Sequence, residues 1–212
     1  MSGVLQAVFQ NQRSFGLAIG SALGGGFYAG QIGVSGVATH NLVIGPVASA
    51  QSTSLQWKNA NTATTGSDSA IDGPQNTADL VADGNATVYP AAHFCNDLVI
   101  GGFSDWYMPT QNELEVCYYN LKPTTTANNT TVGTNTNAVP SRGSNYTSGD
   151  PAQTSATDFK DTGAEDFGAE NYWSSTEGAA AFGVYKSFYT GYQAIGAKTS
   201  YKRVRAIRRV AV

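Results

Sequence analysis

The chain has 212 residues, a formal net charge of −3 and 13% charged side chains, about half the usual ~25%. A chain this long buries roughly 70% of its extended surface on folding, so its core needs no disulfide or metal, and the slight acidic balance argues against nucleic acid or an anionic membrane as partner. With 24 Gly, 11 Tyr and 9 Phe beside few charges, the surface must be mostly Ser, Thr, Asn, Gln and Gly, a neutral hydrogen-bonding face suited to sugars or neighbouring subunits.

No apolar run approaches the ~18 residues of a membrane helix. Met1-Ser2-Gly3-Val4-Leu5-Gln6 has no basic segment followed by an unbroken apolar stretch, so no secretory signal is read. The sequons at Asn85, Asn128, Asn129 and Asn145 then count as chance in an Asn/Thr-rich chain. Cys95 and Cys117 are too few for a disulfide framework. The expectation is a protein made in the cytosol that works elsewhere.

Residues 1–26 are weakly patterned and end in Gly24-Gly25-Gly26. They are expected to form an N-terminal attachment arm that docks on a neighbouring subunit, because a Gly-rich end frays unless held. Residues 27–46 read as a hairpin turning at Ser35-Gly36. Residues 47–88 read as polar and irregular, anchored by Trp57. Pro90 suits a first helical turn, and Ala91, Phe94, Cys95 and Leu98 then share one apolar face, with Gly101-Gly102 as the expected stop. Thr110-Gln111-Asn112-Glu113 is a capping box that opens a second helix, with Leu114, Cys117, Tyr118 and Leu121 as its buried stripe and Pro123 as its end.

Residues 124–168 carry no periodicity, and a loop of that length inside a domain is functional or held by its neighbours. From Asn171 the pattern is β. Phe182, Val184 and Phe188 fall on one face and Tyr185, Ser187 and Tyr189 on the other, with Lys186 interrupting the apolar face. A final strand is expected over residues 201–212, and Lys198, Lys202, Arg203, Arg205, Arg208 and Arg209 make this end basic.

Three stretches carry a resemblance. They are Gly102-Phe103-Ser104-Asp105-Trp106-Tyr107-Met108-Pro109-Thr110 with Glu113-Leu114, then Asn171-Tyr172-Trp173-Ser174-Ser175-Thr176, then Lys202-Arg203-Val204-Arg205-Ala206-Ile207-Arg208-Arg209-Val210. In this order and spacing, over roughly residues 25–212, the chain resembles the C-type-lectin-like domains of bacteriophage fibre and structural proteins. That family is related to the formylglycine-generating-enzyme fold and to the variable receptor-binding proteins of diversity-generating phages. The resemblance implies an α+β fold of C-type-lectin-like type over residues 27–212, with two helices packed on small antiparallel sheets and long irregular loops. It further implies a virion fibre or tail-tip protein that binds a host-surface polysaccharide or protein. Other virion proteins would be met through residues 1–26, and a homotrimer is the first expectation. The alternative is a purely structural virion protein: a capsid decoration, head fibre or fibre-shaft component.

The motif residues themselves read as scaffold. Trp106 and Trp173 are expected in the core, and the arginines of residues 204–210 need acidic or carbonyl partners because their stems lie along apolar surface. Asp150, Asp158, Asp161, Glu165, Asp166 and Glu170 offer carboxylates for hydrolysis or calcium, but a solvated acidic loop is the favoured reading. The paired reactive cysteines of the formylglycine-generating relatives are not matched, since Cys95 and Cys117 fall on apolar helix faces. No phosphate loop, zinc spacing or nucleophile elbow is present. The sequence reading is therefore non-enzymatic, with no metal and no cofactor. The expected ligand-binding residues are Tyr185, Tyr189, Tyr192, Gln193 and Tyr201, in or beside the strand–turn–strand that carries the ligand face in the related phage proteins. Tyrosine offers a flat apolar face and a hydroxyl at little entropic cost.

Overall fold

The computed structural model describes residues 16–212, so most of the expected attachment arm lies outside the described residues. The described residues form an α+β fold of two five-stranded sheets and four helices. None of these helices is long and apolar enough to cross a membrane. The first sheet runs β1 (Ala22–Leu23), β2 (Gly26–Val34), β3 (Val37–Ile44), β10 (Ile207–Ala211), and β5 (Ala138–Val139) also pairs with β2. It therefore begins at Ala22, inside the stretch assigned to the arm. The expected β2–β3 hairpin is present. Ser35 and Gly36 both take positive φ (51° and 79°), the turn whose twist matches its strands and which a glycine relieves of strain.

The second sheet runs β4 (Gln51–Gln56), β9 (Tyr201–Arg205), β6 (Asn171–Ala179), β7 (Phe182–Ser187), β8 (Gln193–Ala197). Its pairs are antiparallel except β6 with β9, which meet in parallel at Tyr172 and Arg203. The single final strand expected over residues 201–212 is in fact β9 and β10, one in each sheet. Ala206 is the crossing point. Its N–H donates to the Ala50 carbonyl and its own carbonyl accepts from the Gly45 N–H, each at 2.9 Å. Ile207 then exchanges both backbone bonds with Tyr107 at 2.8 and 3.0 Å.

Helices are α1 (Val47–Ala50), α2 (Gly73–Asp83), α3 (Pro90–Asn96) and α4 (Gln111–Leu121). Residues 47–88 are thus less irregular than expected, holding α1, β4 and α2. The α2 helix starts on an Asp72 cap that accepts from the Gln75 N–H, with a proline in its first turn. It buries Asn76 and Thr77 beside Leu80, a mixed face with no apolar stripe to read. Asn76 donates to the Ser69 carbonyl at 2.8 Å, and Thr77 Oγ1 accepts from the Met108 N–H at 3.1 Å. The α3 helix stops at Asn96, before the expected Gly101-Gly102. Those glycines instead turn a small hairpin in which Ile100 and Phe103 exchange backbone bonds at 3.0 and 3.1 Å.

The capping box of α4 is formed. Thr110 Oγ1 accepts from the Glu113 N–H at 3.3 Å, and Glu113 Oε2 accepts from the Thr110 N–H at 2.9 Å. Leu114, Cys117, Tyr118 and Leu121 pack with Leu42, Ile44, Phe159, Phe167 and Phe188 in one core. Trp57, Trp106 and Trp173 share a second core with Leu80, Cys95 and Val204. Both cysteines are free and buried.

The arginines find the partners their burial demands. Arg205 Nη2 lies 2.6 Å from Glu165 Oε2 and its Nε donates to the Gly45 carbonyl at 2.8 Å. Arg208 grips Asp105 through two bonds of 2.6 and 2.8 Å. Arg209 Nε meets Glu113 Oε1 at 2.8 Å. The long loop is held by backbone–backbone bonds and by buried side chains. Lys122 Nζ donates to the Pro151 carbonyl at 3.2 Å, and Asn128 takes the Tyr118 hydroxyl at 2.6 Å while its amide donates to the Pro151 carbonyl at 2.9 Å.

Candidate functional site

The five tyrosine-face residues do not share one surface. Tyr185 lies edge-on to Trp173, ring centroids 6.1 Å apart, with Lys202 Nζ over both rings at 4.4 and 4.7 Å. Tyr201, 66% exposed, lines a separate polar recess with Thr53, Glu170, Asn171 and Arg203. Tyr189 and Tyr192 are exposed in the turn joining β7 to β8. Gln193 faces the opposite side of the sheet from Tyr185. It pairs with Lys186 across β7 and β8, whereas Tyr185 pairs with Ala194.

Gln193 leads to the site the sequence reading passed over. Together with Lys186, Asn112, Glu115, Thr134 and Asn145 it lines an open cleft of about 190 Å³ between α4, the 132–146 loop and the β7–β8 pair. Each wall has a local cause. The α4 capping box sets the axis that presents Asn112, Glu115 and Tyr118. The loop wall is fixed by Asn135, whose backbone exchanges two bonds with Arg142 (2.8 and 2.9 Å) and whose amide donates to the Asn112 carbonyl at 2.9 Å. Gly191, at φ 73°, packs against Tyr118 and Tyr146, the rings beneath Lys186. A Cβ there would sit 2.3 Å from the Tyr118 ring, so the turn returns over the aromatics only as glycine.

Glu115 is a carboxylate recognised on every side. It accepts from the Tyr146 hydroxyl at 2.6 Å, from the Asn135 amide at 2.6 Å and from Arg142. Arg142 also stacks on Tyr119, its guanidinium carbon 4.0 Å from the ring centre, and its Nε is buried without a hydrogen-bond partner among the described residues. Lys186 is 1% exposed. Its amine lies over the rings of Tyr118 and Tyr146 at 5.5 and 5.2 Å and lines the cleft. Burial pushes this amine down from its ordinary 10.5 to about 8, against the pull of Glu115 and with the push of Arg142. The cluster is thus two cations and one anion at the edge of an open cleft. The signal for it was the lysine at the centre of Val184-Tyr185-Lys186-Ser187-Phe188, a charge on the face that alternation sends inward.

Three of the six carboxylates of the acidic stretch have protein partners. Glu165 is occupied by Arg205 and the Val47 N–H, Asp166 Oδ2 accepts from the Thr162 N–H, and Asp150 accepts from Tyr119. Among the described residues no group of three or more His, Cys, Asp or Glu side chains is placed to hold a metal ion. Burial also drives the thiols of Cys95 and Cys117 well above their ordinary range.

Fold and cleft together define an α+β domain with a hydrogen-bonding cleft built on a buried charge cluster. Residues 47–208 match the model of the Lcl C-terminal domain family, and the chain belongs to that family. No curated protein matches it.

Proposed function

We propose that this chain is a non-covalent binding module of C-type-lectin-like type, which captures a host-surface polysaccharide or protein as part of a phage fibre or tail-tip protein. The observation that carries the binding reading is the Lys186 cleft. A lysine only 1% exposed, its amine packed on two rings at the cleft, is costly, and a fold that only needed packing would place an apolar side chain there. Asn112, Thr134, Asn145 and Gln193 around it are hydrogen-bonding groups of the kind that fix ligand orientation. The three-motif resemblance supports the placement on a virion, and multivalency through a homo-oligomer would raise the avidity of a shallow site.

The experiment is an array of bacterial envelope polysaccharides and surface proteins probed with labelled protein and with Gln193→Trp, a change that fills the cleft. Retention by the parent chain that is lost in Gln193→Trp is expected. Retention untouched by Gln193→Trp overturns the cleft as the binding site, and no retention on any surface preparation overturns receptor capture. The second reading, a structural virion component, draws on Val34 and Val37, exposed at 60% and 68% on the hairpin tip. An image of the assembled particle with this tip and the cleft both covered by neighbouring chains would decide for it.

A further inference from the structure

We infer that the Lys186 cleft binds a single carboxylate group, carried on a uronic-acid sugar or on the C-terminal end of a peptide. This deepens the binding reading above and rests on the same cleft. Lys186 and Arg142 are two buried or half-buried cations, and Glu115 is the one anion among them. Three of the roughly four acceptor positions of the Glu115 carboxylate are taken, by Tyr146, Asn135 and Arg142. The Lys186 amine therefore carries the uncompensated charge, 1% exposed and lining the cleft. One monovalent anion entering from solvent neutralises the group, and a second would overcharge it.

The ligand chemistry follows from what the protein does with its own carboxylate a few side chains away. Glu115 is held by a cation, a side-chain amide and a hydroxyl. The cleft offers two of these kinds of donor to an incoming carboxylate: the Lys186 ammonium and the amides of Asn145 and Gln193. Thr134 already donates to Asn145 Oδ1 at 2.9 Å, which turns the Asn145 amide nitrogen away from that bond and leaves it available. The charged groups facing Lys186 come from α4 (Glu115) and from the loop (Arg142), with Tyr118 and Tyr146 beneath it.

The test uses the full chain carrying ¹³C-labelled lysine, with the Lys186 Cε resonance assigned by its loss in Lys186→Met. Sodium glucuronate, its methyl ester and acetyl-glycyl-glycine are titrated separately. The carboxylate probes are expected to shift that resonance saturably, with the ester weaker by about tenfold or more, as loss of a charge-assisted hydrogen bond requires. Glucuronate alone acting identifies a sugar source, and the peptide alone acting identifies a chain end. Equal response to acid and ester, or no response to either acid, overturns the inference. Array retention that is lost in Gln193→Trp, together with silent carboxylates, would leave receptor capture standing and sink only the carboxylate.

Discussion

Lys186→Met isolates the energetic cost of the buried amine. Methionine keeps a stem of similar length between Tyr118 and Tyr146 and removes the charge. The gap between the ordinary 10.5 of the amine and about 8 in the fold corresponds to about 3 kcal/mol of destabilisation while the amine is charged. The variant should therefore be about 3 kcal/mol more stable at neutral pH. The pH dependence has a definite sign. Between about pH 8 and 10.5 the unfolded chain keeps this proton and the folded chain has released it, so the parent protein gains stability as pH rises through that window. Below about pH 8 both states hold the proton and the full cost applies. Urea titrations of both proteins, from neutral pH to above 10, should therefore show an advantage for Lys186→Met that shrinks across that window and vanishes at its top. A variant less stable than its parent at neutral pH, or a difference that ignores pH, would refute the claim that this lysine is held against the interests of the fold.

Other perturbations separate scaffold from rim. Glu113 is fully buried and takes the Tyr107 hydroxyl at 2.5 Å, Arg209 Nε at 2.8 Å and the Thr110 N–H at 2.9 Å. Glu113→Ala should cost about 3–5 kcal/mol in urea denaturation, because it leaves Arg209 without its buried partner. Thr110→Ala should cost about 1 kcal/mol through the lost cap, whereas Tyr189→Ala, at a side chain 51% exposed, should leave the melting temperature nearly unchanged. Native protein mixed with a thiol-specific disulfide reagent should release no chromophore from Cys95 or Cys117, and both should react in denaturant. Fast labelling of either thiol in the native protein would contradict its burial.

Local rules were legible wherever one short segment decides the outcome. The Thr110–Glu113 box, the Ser35-Gly36 turn and the need of Arg205, Arg208 and Arg209 for partners were all readable from a few adjacent residues. The α2 helix was not, because its buried face uses Asn76 and Thr77 and so lacks a 3.6-residue apolar rhythm. The break at Ala206 was hidden for a different reason. Each side of it is strand-like, and only Ala50, Gly45 and Tyr107, distant in sequence, make the chain change sheets there. The expected tyrosine face is spread over more than one surface. Tyr189, Tyr192 and Tyr201 are exposed, yet the pleat sends Tyr185 and Gln193 to opposite sides. The cleft itself combines a helix, a loop and a strand pair, and a linear reading shows such a site only as one misplaced charge at Lys186.

The two halves of residues 201–211 pair with segments made some 150 positions earlier: Tyr201 with Gln56 and Ile207 with Ile44. During synthesis neither sheet can close until this stretch leaves the ribosome, and until then β3 and β4 each present a row of unmatched amides to any strand nearby. Such late closure predicts slow maturation and a need for chaperone protection of the nascent chain. It also makes a premature stop ahead of Tyr201 far more damaging than its short length suggests, since it would strip an edge strand from one sheet and cut β4 from the other.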